Sequence, residues 1–368
     1  MAEVKVNNKM ADFCIELEES EGRYTVTIDN YTGSSEEVVI PEFFCGIPVT
    51  TIGDYSFLHE EKIKKVVLPK GVISIGDSAF CGCTCLTDIN FPESLISIGS
   101  NAFEKCISLT EINFPENLVS VDYSAFENCG RLKSITFSKK IADIGFDAFL
   151  SCTSLEQFTV DGQNPFYSSD RGVLFDRNMT TLIRYPTGRK GNYTIPDSIV
   201  NIEKCAFDGC IELTGISFPE YLMSTGITNF SDCEKLSNFI VNEKNLRFSS
   251  KNGVLFDKEG YKLIKYPQGR NDACYTVPDS VVQIGRNAFS NSKRLTGLIL
   301  PQNLRYIDWY SFYGCEQLTE ITLPVGLKYI GEYAFDNCPN LNTVTLSRNT
   351  KTGYRTYSDF SGQLVYLD

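Results

Sequence analysis

Fourteen cysteines and one histidine are the residues from which chemistry would be built in this 368-residue chain. A thiolate beside an imidazole, with a third group to orient the ring, makes a nucleophile. His59 is the only imidazole, and the in-phase thiol one coil away is Cys83. Cys81, Cys83 and Cys85 crowd together as metal ligands do, but no second cluster and no histidine at ligand spacing completes a zinc site. Eight cysteines share another property: Cys83, Cys106, Cys129, Cys152, Cys210, Cys233, Cys315 and Cys338 each follow a recurring phenylalanine by three residues. Ser292 and Glu60 hold that place in two other copies. A residue locked to the phase of a repeat is a packing residue, and a free thiol packs as a small hydrophobe. The cysteines are therefore expected to be structural thiols, neither disulfides nor nucleophiles. Carboxylates form no pattern distinct from a solvated face, and no GKS or GKT phosphate loop is present. The reading is of a protein that is not an enzyme, with no catalytic residue, metal or cofactor.

The element that positions these residues is a 23-residue phrase, plainest at 86–106, LTDINFPESLISIGSNAFEKC. Its Ala-Phe pair recurs at Ala79-Phe80, Ala102-Phe103, Ala125-Phe126, Ala148-Phe149, Ala206-Phe207, Ala288-Phe289 and Ala334-Phe335. Looser copies at Ser56-Phe57, Asn229-Phe230 and Ser311-Phe312 bring the count to ten. A period of 20 to 30 residues marks a solenoid whose units bury their apolar faces only by stacking. Within a unit, Leu86 to Pro92 reads as a short strand stopped by proline, and Leu109–Pro115, Leu213–Pro219, Leu295–Pro301 and Leu318–Pro324 repeat it. Leu95 to Gly99 reads as a second extended piece, and Ser100 to Lys105 as a helical turn. Leu86, Ile89, Phe91, Leu95, Ile98, Phe103 and Cys106 are the expected core. The repeat glycine (Gly53, Gly76, Gly99, Gly145, Gly226, Gly285, Gly331) is expected to supply a backbone angle that other residues resist.

Residues 11 to 29 alternate as a hairpin, suited to cover the open end of a stack. The period breaks twice, from Phe149 to Phe207 and from Phe230 to Phe289. The two inserts match at an offset of 81: Gly172-Val-Leu-Phe-Asp176 answers Gly253-Val-Leu-Phe-Asp257, and Tyr185-Pro186 answers Tyr266-Pro267. Each reads as strand, charged turn and strand. Their core-like apolar residues favour a longer coil over a binding ornament. The expected organisation is a hairpin cap over 1–37, a solenoid over 38–346 with inserts at about 161–195 and 242–277, and a closing tail over 347–368 with an imperfect echo at Asp359-Phe360. All of it forms one continuous domain.

The net charge of −12 argues against nucleic acid and anionic membrane surfaces. No run approaches the ~20 apolar residues of a spanning helix. The opening MAEVKVNNKMADF has no apolar core of signal-peptide length. That leaves a cytosolic protein, or one whose signal has been removed.

Candidate binding residues sit late in the chain. Tyr306 and Tyr329 share one repeat phase in adjacent copies, where earlier copies carry Ser74, Ser97, Ser120 and Ser224. Tyr310 and Tyr333 share another, with the sole tryptophan, Trp309, beside them and Tyr313 close by. Large amphipathic rings anchor interfaces because they bury much area at low entropic cost, and they also stack on sugars. The competing expectation is that they thicken the last coils and seal the core.

The phrase Leu-x-x-Ile-x-Phe/Leu-Pro-x-x-Leu-x-x-Ile-Gly-x-x-Ala-Phe-x-x-Cys resembles the BspA-like, or Treponema pallidum-type, leucine-rich repeats over about residues 38 to 346. The resemblance implies an α/β, right-handed leucine-rich-repeat solenoid. It further implies a cell-surface or secreted protein that adheres to host proteins or other cells. The reading adopted is a noncatalytic recognition protein for host or bacterial macromolecules, with a protein or glycoprotein ligand and a monomeric state expected. The alternative is a cytoplasmic scaffold that uses the same surface on an intracellular partner.

Overall fold

The computed structural model describes residues 8–10, 12–226, 230–357 and 360–367. The chain divides into two compact units, Met1–Arg189 and Lys190–Asp368. Each is a β-solenoid, and together they hold about 15 turns of about 23 residues. In the first unit a nine-stranded sheet begins with the antiparallel strands Asn8–Met10, Phe13–Ser20 and Arg23–Tyr31. It continues as a parallel ladder through Ile47–Ile52, Ser74–Ile75, Ser97–Ile98, Ser120–Val121 and Asp143–Ile144. The register Ser74↔Ser97↔Ser120 advances by one period per rung, so like side chains fall into columns. In the second unit Gln283–Ile284, Tyr306–Ile307, Tyr329–Ile330 and Lys351–Thr352 form the equivalent ladder. A second strand per turn builds the other wall, as in Ser134–Phe137 against Gln157–Val160. The Leu109–Pro115 copy of that strand forms no regular strand, although Ile112 is buried.

The expected helical turn is not there: among the described residues there is no helix. Asn101 and Lys105 flank Phe103 with φ of 57° and 60°, in the left-handed region, which interrupts any right-handed helix. Alternate backbone N–H groups then serve two purposes. Ala102, Glu104 and Cys106 close turns on Gly99, Asn101 and Phe103, while Asn101, Phe103 and Lys105 donate to Tyr123, Ala125 and Glu127 of the next turn. The segment is a stack of β-turns, bonded along the chain and between coils.

Between those bonds the repeat phenylalanines form a column of rings. Phe57, Phe80, Phe103, Phe126 and Phe149 stack at centroid spacings of 4.8, 5.2, 5.0 and 5.6 Å. Of the expected core, Leu86, Leu95, Ile98, Phe103 and Cys106 are buried, and Ile89 and Phe91 are half-buried against it.

The turns exceed ten because tyrosine also fills the ring slot. Tyr31 stacks on Phe57 at 5.2 Å, Tyr266 on Phe289 at 5.1 Å, and Tyr357 on Phe335 at 5.8 Å. Tyr266 N–H donates to Ala288 O, the same bond that Phe103 makes to Ala125. The second insert thus ends in an ordinary coil, reached through the antiparallel strands Phe248–Lys251, Val254–Asp257 and Lys262–Lys265. The first insert has the matching strands Tyr167–Asp170, Val173–Asp176 and Thr181–Arg184, and Tyr185 is buried like Tyr266. Each insert is three strands, one more than the reading of strand, turn and strand. The tail's echo lies at Thr356-Tyr357, where Phe335 N–H donates to Thr356 O; Asp359 lies outside the described residues, as does Asn229 of the Asn229-Phe230 copy.

The role expected of the repeat glycine also changes. Gly226 alone of the seven has positive φ, at 66°. Elsewhere the constraint is space: a Cβ on Gly145 would lie 2.6 Å from Tyr123 N, and one on Gly331 2.6 Å from the Asp308 carbonyl carbon. Where Asp122 and Asp308 hold the slot, the bond to the preceding coil is 3.0 Å, against 2.8 Å for Gly145 and Gly331. The backbone there stands slightly farther off.

Candidate recognition surface

The thiols that invited a catalytic reading are packing groups. None of the fourteen cysteines is in a disulfide, and the eight in phase are buried. The Cys106 Sγ–H donates to Phe80 O at 3.2 Å, Cys129 to Phe103 O at 3.1 Å and Cys338 to Phe312 O at 3.1 Å, one bond per coil. Burial pushes the Cys83 thiol up to about 12, so it is not a thiolate near neutrality. His59 is exposed, with its ring over Gly82. Among the described residues no group of His, Cys, Asp and Glu could hold a metal ion.

The inserts hide two buried cations that the sequence reading passed over. Arg184 and Lys265 occupy matching positions, each between Leu-Ile and Tyr-Pro, and both are buried. Lys265 Nζ donates to Asn287 O at 2.9 Å and Ser290 Oγ at 3.2 Å, and burial lowers its pKa to about 8. Two buried asparagines open the inserts. Asn164 Nδ2 donates to Ser138 O and Ile141 O while its Oδ1 accepts from the N–H groups of Phe166 and Tyr167; Asn245 repeats this with Pro219, Leu222, Arg247 and Phe248. The offset of 81 that pairs the inserts would have found all four.

The aromatic candidates fall into two neighbouring columns of the second unit. Tyr306 and Tyr329 are paired across adjacent parallel strands, Tyr306 exposed and Tyr329 half-buried. Tyr310 and Tyr333 stack at 5.0 Å with planes 7° apart, and Tyr313 meets Tyr310 edge-on at 5.9 Å. Both Tyr310 and Tyr333 sit at positive φ, 56° and 55°, in the slot where Asn101 and Ser124 stand elsewhere. Trp309 is 40% exposed. The Cδ1 edge of its indole lies against Gly331, and the Arg286 guanidinium lies 5.3 Å from its ring centroid and 5.9 Å from that of Tyr310. Arg286 precedes Trp309 by one period, so the pair was legible as a column; the sequence reading looked only for rings.

A cleft of about 470 Å³ opens beside this column. It is lined by Lys262 and Ile264 from the second insert, Gly226 and Gly285, Arg286, Asp308 and Trp309.

These columns rest on a repeat that known proteins share. The profile of the BspA type leucine-rich repeat region matches residues 50–169, 189–262 and 273–364, in six copies. The chain belongs to the BspA-type leucine-rich repeat family. Repeats of this family generally serve as non-catalytic scaffolds that bind proteins. No curated protein sequence matches the chain. Among solved structures, a leucine-rich cell surface protein from Faecalibacterium prausnitzii is 24% identical over 97% of this chain and 95% of its own, with a TM-score of 0.55. A leucine-rich repeat protein from Eubacterium ventriosum is 21% identical over 92% and 95%, with a TM-score of 0.62. The pneumococcal vaccine antigen PcpA is 20% identical over 96% and 86%, with a TM-score of 0.51. These likenesses establish the fold. No helix among the described residues is long and apolar enough to cross a membrane.

Proposed function

We propose that this BspA-type protein is a noncatalytic recognition protein, displayed outside the cell, that binds a protein or glycoprotein through the aromatic columns of its second unit. The observation that carries the reading is Trp309, the chain's only tryptophan, left 40% exposed over Arg286 and next to the stacked Tyr310 and Tyr333. Burying such a ring in a partner supplies much of an interface's energy, and Tyr306, Tyr310, Tyr329 and Tyr333 surround it with further amphipathic area. The extracellular setting is supported by the likeness to the Faecalibacterium prausnitzii cell surface protein.

The test is binding of the purified chain to a panel of extracellular-matrix and plasma glycoproteins, with Trp309→Ala and Tyr329→Ala alongside. Trp309→Ala should weaken a saturable interaction while thermal unfolding stays nearly unchanged. A large loss of stability with unaltered binding would assign the rings to packing instead.

A further inference from the structure

We infer that the cleft beside Trp309 is a subsite for an acidic sugar, with Arg286 and Lys262 taking its carboxylate. The inference rests on the reading of this column as a recognition surface and names the chemistry it accepts.

Three features point to an anion. Arg286 Nε is shielded from solvent and has no hydrogen-bond partner among the described residues. That nitrogen's donor is therefore not used up within the fold, and the guanidinium, which lines the cleft, is the group that would meet an anion there. The guanidinium is nevertheless held in place, because Trp309 and Tyr310 fix it through their ring faces. Lys262 lines the same cleft, and among the described residues neither cation has a carboxylate within the 4.0 Å of an ion pair, although Asp308 is a neighbour. In a chain of net charge −12, this cleft sets two cations against the single carboxylate of Asp308.

The walls then favour a sugar over a peptide. An extended peptide is captured by free backbone groups at a sheet edge. Here the N–H groups of Gly285, Asp308 and Gly331 are already bonded to Leu263 O, Ile284 O and Ile307 O of the preceding coils. Recognition is left to side chains. Gly226 and Gly285 line the cleft without side chains, Ile264 and the indole offer apolar surface to the C–H face of a pyranose, and Asp308 offers a carboxylate oxygen to its hydroxyls. A volume of about 470 Å³ accommodates one such ring.

Trp309 is the only tryptophan, so it reports on the cleft directly. The full chain would be titrated with glucuronate and N-acetylneuraminate, with N-acetylglucosamine, sodium sulfate at matched ionic strength and N-acetylglutamate amide as controls. Indole fluorescence and the indole N–H proton shift are the readouts. The expected result is a saturable response to an acidic sugar, at least about tenfold tighter than to any control, and weakened about tenfold in Arg286→Gln and less in Lys262→Gln, with unfolding unchanged. The absence of a saturable response to either acidic sugar overturns the inference. So does an equal response to sulfate or the neutral sugar, tighter binding of the glutamate derivative, or an Arg286→Gln variant that binds as the parent does. The two readings fail separately. Panel binding lost in Trp309→Ala but kept in Arg286→Gln would retain the recognition surface without the acidic-sugar subsite. Acidic-sugar binding with no panel ligand would do the reverse.

Discussion

The same repeat position follows the glycine slot in both units, and it is used in opposite ways. In the first unit it begins with Asp54 and Asp77, whose carboxylates accept the backbone N–H groups of Asp77 and Ser100 in the next coil, at 2.7 and 2.8 Å. It then runs through Ser100 to Tyr123 and Phe146, whose rings meet at 5.3 Å. In the second unit the same column carries Arg286, Trp309 and Glu332, and the arginine's Nε is unpaired among the described residues. Each column stands on its own unit's ladder of parallel rungs and stacked rings. Because the frame is satisfied by its own backbone bonds, an outward column can spend its polar groups on the fold or keep them for a ligand. The first unit's carboxylates are spent, and the second unit's arginine is held ready.

That comparison rests on the frames being equal, which core mutations test most severely. Phe103 stacks between Phe80 and Phe126, and Phe312 between Phe289 and Phe335, with spacings between 5.0 and 5.2 Å. Phe103→Ala and Phe312→Ala should each cost about 3–5 kcal/mol in denaturant unfolding. A clear difference between them would show that the two ladders are not equivalent supports.

Alkaline pH tests the buried groups next, and in both units, since the Cys233 and Cys315 thiols of the second unit are raised as well. Burial raises the thiols of Cys83, Cys106, Cys129 and Cys152 above the ordinary thiol value of 9.0, and Cys83 and Cys152 to about 12. Their contribution is fully present below pH 9 and is lost as pH rises toward those folded values, at up to about 1.4 kcal/mol per pH unit for each thiol. Lys265 in the second unit acts with the opposite sign. Its pKa falls from 10.5 to about 8, so the cost of burying its charge is present below pH 8 and is relieved as pH rises to 10.5. The unfolding midpoint should therefore drop above pH 9. The drop should be shallower in Cys129→Ala and steeper in Lys265→Met. A pH-independent midpoint would remove the thiol ladder from the energetics.

The smallest effects bear on the columns themselves. Asp77→Ala removes an acceptor from Ser100 N–H and should cost about 1 kcal/mol. Arg286→Gln removes no hydrogen bond made within the described residues and should stay within about 0.5 kcal/mol. Equal losses in the two would mean that the arginine is as much part of the fold as the aspartate.

How much of this was legible varies with the kind of constraint. Phe80, Phe103 and Phe126 announced the ladder because one residue type returned at one spacing. Tyr31, Tyr185, Tyr266 and Tyr357 were missed because tyrosine fills the slot equally well and the inserts shift its spacing. The phase of Tyr306 with Tyr329, and of Tyr310 with Tyr333, was readable and the structure pairs both. Arg286 was readable by the same rule, but only a count of every residue type in the column would have raised it above a solvated surface charge.

The sequence by itself determined the period, the family, the buried thiols and which side chains share a column, since all of these follow from residue type repeated in phase. The tertiary structure alone decided what that phase could not carry. Left-handed residues at Asn101 and Lys105 turned an expected helix into stacked turns, because alternate N–H groups find better acceptors one coil away than four residues back. The glycines answer to the backbone of the preceding coil, a distance no linear pattern contains. Whether a charge is spent or free depends on what the next coil places opposite it, and only stacking brings Asp54 to a backbone N–H and Arg286 to a ring.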